Sequence, residues 1–109
     1  MKTAIKKNKP LPPPPKTYRD FVKRFPKLGV AWERIAEAGA EGPLDEKTIR
    51  LIKLGIAIGA LREGAIHSSI RKAQALGITR DEIEQVIALA AGTLGLPATV
   101  AVFSWANDS

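Results

Sequence analysis

With 109 residues and a formal net charge of +6, the chain is long enough for one domain and no more. It contains no cysteine, which excludes disulfides, thiolate metal ligation and any thiol redox cycle. A single histidine argues equally against an intrinsic zinc site, which draws on several nitrogen or sulfur ligands.

The charge is unevenly placed. Residues 1–27 carry nine Lys/Arg against Asp20 alone, whereas residues 28–109 carry eight basic and ten acidic groups. The basicity therefore belongs to the arm and the first helix, not to the body. Lys2 to Lys16 combines five lysines with five prolines. Proline fixes φ and removes a donor, so Leu11 to Pro15 favours a polyproline II spacer. Residues 1–16 are expected to be a disordered, solvated arm, and residues 17–109 the folded domain. Nucleic-acid or acidic-partner binding through residues 1–27 is disfavoured, because such arms usually add arginine or interleaved aromatics and Tyr18 is the candidate on offer. No apolar segment follows the charged N-terminus, so it does not read as a secretory signal. The apolar run Leu54–Leu61 is bounded by Lys53 and Arg62 and is too short to span a bilayer. A cytoplasmic location without membrane contact is the expectation.

Taken in order, Tyr18, Phe21, Val22 and Phe25 recur at i, i+3, i+4, i+7 and predict a short first helix with Thr17 as N-cap, broken by Pro26. Lys27 to Gly39 predicts a second, with Leu28, Ala31, Trp32, Ile35 and Ala36 on one face. Asp45 caps a third, Glu46 to about Ala60, whose apolar residues point almost all round the axis. Such a helix is central to a core or lies between subunits. A fourth runs from about Leu61 to Leu76, with Ile66, Ile70, Ala73 and Leu76 as its stripe, Gly64 marking a break near its start and Gly77 its left-handed stop. Thr79 and Glu82 form a capping box for a fifth helix carrying Ile83, Val86, Ile87, Ala90, Ala91 and Leu94, which Gly95 ends. Pro97 suits the first turn of a sixth, Ala98–Ala106. No segment alternates with period two, so the class is all-α with about six helices. A core of some 93 residues buries only ~60% of its unfolded surface, which makes oligomerisation plausible.

Glu63 and His67 are the residues most able to carry chemistry. Four apart on a helix, they are neighbours, and a carboxylate beside an imidazole raises its basicity and fixes its tautomer. The spacing alone is equally that of an ordinary surface ion pair, stabilising by a few tenths of a kcal/mol. Arg50, Lys47 and Arg62 are candidate anion-binding groups near the pair. Ser68 and Ser69 adjoin His67, but no nucleophile elbow holds either of them. No phosphate-binding glycine loop is present.

The order Leu44-Asp-Glu-Lys-Thr-Ile-Arg-Leu-Ile, Arg62-Glu-Gly-Ala-Ile-His67, Ala73-x-x-x-Gly77-Ile-Thr-x-x-Glu82-Ile and Gly95-Leu-Pro-Ala98 resembles the carboxymuconolactone decarboxylase family, which includes the alkylhydroperoxidase D-like proteins. The resemblance covers about residues 17–107. It implies an alkylhydroperoxidase D-like helical fold that assembles as trimers or hexamers. It also implies a site near Glu63 and His67. The peroxidase branch carries a Cys-x-x-Cys-x-x-x-His motif supported by an upstream glutamate. Those positions here are Arg62, Ala65 and Ser69, with Arg50 near the glutamate, so thiol peroxidase chemistry is excluded in this chain. The decarboxylase branch needs no cysteine. It loses CO₂ from a carboxylated lactone, using a general acid–base and a pocket for an anion.

The resemblance thus implies a cofactor-independent lyase or isomerase acting on a small anionic carbonyl or lactone compound. His67 would be the base and Glu63 its orienting partner, with Arg50, Arg62 and Ser69 binding substrate and no metal. Its cavity would lie at a subunit interface lined by Trp32, Phe103 or Trp105. The alternative is a non-catalytic homo-oligomer that binds a small molecule or serves as a scaffold.

Overall fold

In the computed structural model, residues 15–108 are described, and the expected arm falls almost wholly outside them. The described residues are helical throughout their regular structure, with no strand among them. They belong to two compact units that divide between Leu44 and Asp45.

The first unit is a helical hairpin. Helix α1 spans Lys16–Arg24 and α2 spans Pro26–Ala40. Pro26 holds Phe25 in a non-helical conformation, φ −129° and ψ 74°, which ends α1, and then occupies the first turn of α2, where its missing N–H costs nothing. Thr17 does not cap α1. The helix starts two residues earlier than that cap implies, with Pro15 in the capping position and no side-chain cap, and Lys16 pairs with Asp20 at 2.9 Å along its surface. A Cβ on Gly29 would stand 3.2 Å from the Val22 Cβ, so glycine lets the two helices cross closely. The hairpin encloses no fully buried side chain.

The second unit holds the core. Helices α3 (Glu46–Gly59), α4 (Glu63–Ala75), α5 (Arg80–Leu89), the single turn α6 (Ala91–Leu94) and α7 (Leu96–Asn107) follow in order. Helix α4 packs on both α3 and α7, and α5 also packs on those two. Leu54, Ile58, Ile66, Ile70, Ile83 and Val102 are its largest fully buried side chains, each contributing about 1.5–3 kcal/mol by leaving water.

Two helix starts were legible in detail. The Asp45 carboxylate accepts from the Thr48 N–H at 2.8 Å. The Thr79 hydroxyl accepts from the Glu82 N–H at 3.2 Å, while the Glu82 carboxylate accepts from the Thr79 N–H at 2.9 Å. Other boundaries moved. Helix α5 ends at Leu89 rather than running to Leu94: the Ala90 N–H turns back to the Ile87 carbonyl, and Ala91–Leu94 form the separate turn α6. Helix α7 starts at Leu96, with Pro97 in its first turn.

Helix α3 is not enclosed on all sides. It buries Leu54, Ala57 and Ile58, whereas Ile52 and Ile56 are 45% and 66% exposed. Of the two readings of an all-round apolar helix, the central one does not hold within the single chain. Among the described residues no helix is long and apolar enough to cross a membrane.

Candidate active site

Glu63 and His67 meet because of where α4 begins. After α3, the Leu61 N–H donates to the Ile58 carbonyl at 2.9 Å and the Arg62 N–H to the Ala57 carbonyl at 3.3 Å. This pair of bonds is a Schellman turn. Its left-handed position, normally glycine, is held by Leu61 at φ 54°, a conformation that costs a residue with a Cβ about 1–2 kcal/mol. The break therefore lies at Ala60–Arg62, ahead of Gly64, which sits inside the first turn of α4.

The turn makes Glu63 the first residue of α4, where the helix dipole favours a carboxylate. One turn on, His67 Nε2 lies 3.4 Å from Glu63 Oε2. That is long for a hydrogen bond but close for an ion pair. The His67 side chain is 24% exposed and that of Glu63 56%, so the imidazole is largely enclosed and the carboxylate meets solvent. In the tautomer whose Nε2–H donates to Glu63, the basic lone pair is on Nδ1.

The expected substrate-binding residues separate. Arg62 directly precedes Glu63 and makes no side-chain hydrogen bond or ion pair among the described residues. Ser69 is half-buried, but two residues along a helix from His67 it projects about 160° away around the axis. Arg50 sits nine residues before the end of α3, about 13 Å from the turn that places Glu63. It lies instead in the electrostatic neighbourhood of Lys72, with Lys53 and Arg71. Of the three aromatic residues, Trp105 packs partly buried on the core, while Phe103 and Trp32 are 42% and 59% exposed. No group of three or more His, Cys, Asp or Glu side chains gathers to hold a metal among the described residues.

A groove of about 580 Å³ opens elsewhere, between α3 and α5. Leu51, Ile52, Val86 and Leu89 give it apolar walls, and neither Glu63 nor His67 lines it. At its edge Lys47 pairs with Glu82. That bond, followed by the Thr79 N–H, pulls the Glu82 carboxyl from 4.5 down to about 2.

The pattern of the carboxymuconolactone decarboxylase family matches residues 26–108. The chain belongs to that family. No curated protein and no solved structure matches the chain. In this carboxymuconolactone decarboxylase family member the match takes in α2 to α7, so both the turn at Leu61 and the Glu63–His67 pair lie within it. The absence of cysteine leaves this family member without a thiol to form a sulfenic acid or a disulfide.

Proposed function

We propose that this family member is a cofactor-independent acid–base lyase or isomerase acting on a small anionic carbonyl or lactone compound. The observation that carries the reading is the 3.4 Å approach of a largely enclosed imidazole to a carboxylate, set up by a strained leucine turn. Backbone strain of this kind persists where the surroundings enforce it, and it gathers at functional sites. In a decarboxylation the C–C bond breaks, CO₂ departs, and the electron pair left on carbon is delocalised into the adjacent carbonyl system. His67 delivers the proton that this carbon takes up; in an isomerisation it removes one proton and returns it one position away. Glu63 orients the ring and stabilises the imidazolium, and Arg62 attracts the substrate anion.

A positioned acid–base group contributes about 10²–10⁴-fold in rate. His67→Ala is expected to lower CO₂ release from carboxylated lactones, or proton exchange into their carbonyl analogues, by that factor. The variant's helical content and assembly should be unchanged. Unaltered turnover in a folded His67→Ala protein would remove His67 from the chemistry.

A second reading, a non-catalytic oligomer that binds a small molecule, draws on the apolar α3–α5 groove. It predicts saturable binding of apolar ligands there, blocked by Val86→Trp and indifferent to His67→Ala.

A further inference from the structure

The second unit is electrically balanced, with seven basic and seven acidic residues between 45 and 108, yet its cations are not evenly partnered. Lys47 pairs with Glu82, and Arg80 with Glu84 at 3.6 Å. Arg50, Lys53, Arg71 and Lys72 make no side-chain hydrogen bond or ion pair among the described residues. Glu46, one turn before Arg50, does not bridge to it.

Lys72 lies within electrostatic reach of the other three. The tight turn at Ala60–Arg62 folds α4 back along α3, so the first half of α3 faces the second half of α4. Arg50 and Lys53 lie one turn apart on α3, and Arg50 shares the side of the helix that carries Leu54 and Ala57 into the core. Lys72 follows Ile70 and precedes Ala73, both buried, and is itself half-buried, as is Arg50. Its ammonium is held below the ordinary lysine range, first by burial and then by Arg50, Lys53 and Arg71. Four unpartnered cations, two of them partly withdrawn from water, repel one another, and a multiply charged anion would relieve that repulsion.

We propose that Arg50, Lys53, Arg71 and Lys72 form a binding site for the phosphate group of a small soluble molecule. A phosphoryl group brings nearly two negative charges and three acceptor oxygens to one point, and an arginine can grip it with two parallel bonds. A single carboxylate would neutralise only one of the four. Lys72 lies five residues beyond His67 on α4 and about 140° around its axis. The phosphate site is therefore separate from the Glu63–His67 pair and does not rest on the acid–base reading.

The probe is inorganic pyrophosphate, titrated calorimetrically into the full chain at 150 mM NaCl. One-to-one binding per chain is expected, weakened at least tenfold in Lys72→Met and in Arg50→Gln, and unchanged in Lys23→Met on α1. Lys72→Met removes a repelled charge, so it should melt no lower than the parent, and the loss of binding will not be a loss of fold. The absence of binding at millimolar pyrophosphate would overturn the proposal. So would equal weakening by Lys23→Met, or citrate binding as tightly as pyrophosphate.

Discussion

Leu61 and Gly77 occupy the same place in two copies of one turn. At the end of α4 the Gly77 N–H donates to the Gln74 carbonyl at 2.9 Å and the Ile78 N–H to the Ala73 carbonyl at 3.0 Å, with Gly77 at φ 94°. Glycine adopts this conformation freely, whereas leucine at φ 54° stores strain. Gly77→Ala is accordingly expected to destabilise the protein by about 1–2 kcal/mol, measured as a lower midpoint in urea unfolding with an unchanged slope. This difference also explains what could be read in advance. Gly77 announces a helix end by its residue type. Leu61 carries no such signal, since leucine is a good helix former, and Gly64 drew the expected break three residues too late. His67 and Glu63 were legible through their spacing. The cations Arg71 and Lys72 near Arg50 were not, because they come from the facing helix and their placement depends on where the turn falls.

At the scale of elements, α5 is tied to α3 through its cap. Glu82 closes the capping box on Thr79 and reaches across to Lys47. The folded-state pKa of Glu82, lowered from 4.5 to about 2, fixes the sign of the pH effect. A depressed carboxyl stabilises the fold fully above its unfolded value and loses that contribution as pH falls toward its folded one. The contribution of Glu82 should therefore be intact at neutral pH and fade between about pH 4.5 and 2. Chemical denaturation of the parent and of Glu82→Gln across this range should converge at the acid end; a difference independent of pH would show that the carboxylate's charge plays no part. Both caps were readable from Asp45, Thr79 and Glu82 because capping is local. The Lys47 contact, made across 35 positions of sequence, was not. The early end of α5 at Leu89 was missed for a related reason: the apolar repeat continues through Ala90, Ala91 and Leu94, and the alanine at the break is itself a strong helix former.

For the whole molecule, the exposed side of α3 bears on assembly. Ile56 is 66% and Ile52 45% exposed, and Leu89, at the edge of the α3–α5 groove, is 73% exposed. Grouped apolar exposure of this kind marks an interaction surface. We infer that it is covered by another copy of the chain in a trimer or hexamer. Ile56→Glu should reduce the mass seen by analytical ultracentrifugation to that of the single 11.7 kDa chain, and an already monomeric parent would refute the inference. The all-α class and the family were legible from periodicity and motif order. The division between the hairpin and the core unit was not, because α1 and α2 are as amphipathic as the core helices although they bury nothing fully.

If Glu63 and His67 work as one acid–base unit, a double-mutant cycle on turnover will reveal the coupling. Residues that act together lose activity non-additively. Glu63→Gln is expected to lower kcat with little change in KM, and the Glu63→Gln/His67→Ala double variant to be no slower than His67→Ala alone. Losses that multiply through the cycle would contradict it, showing two residues that are neighbours on a helix and nothing more.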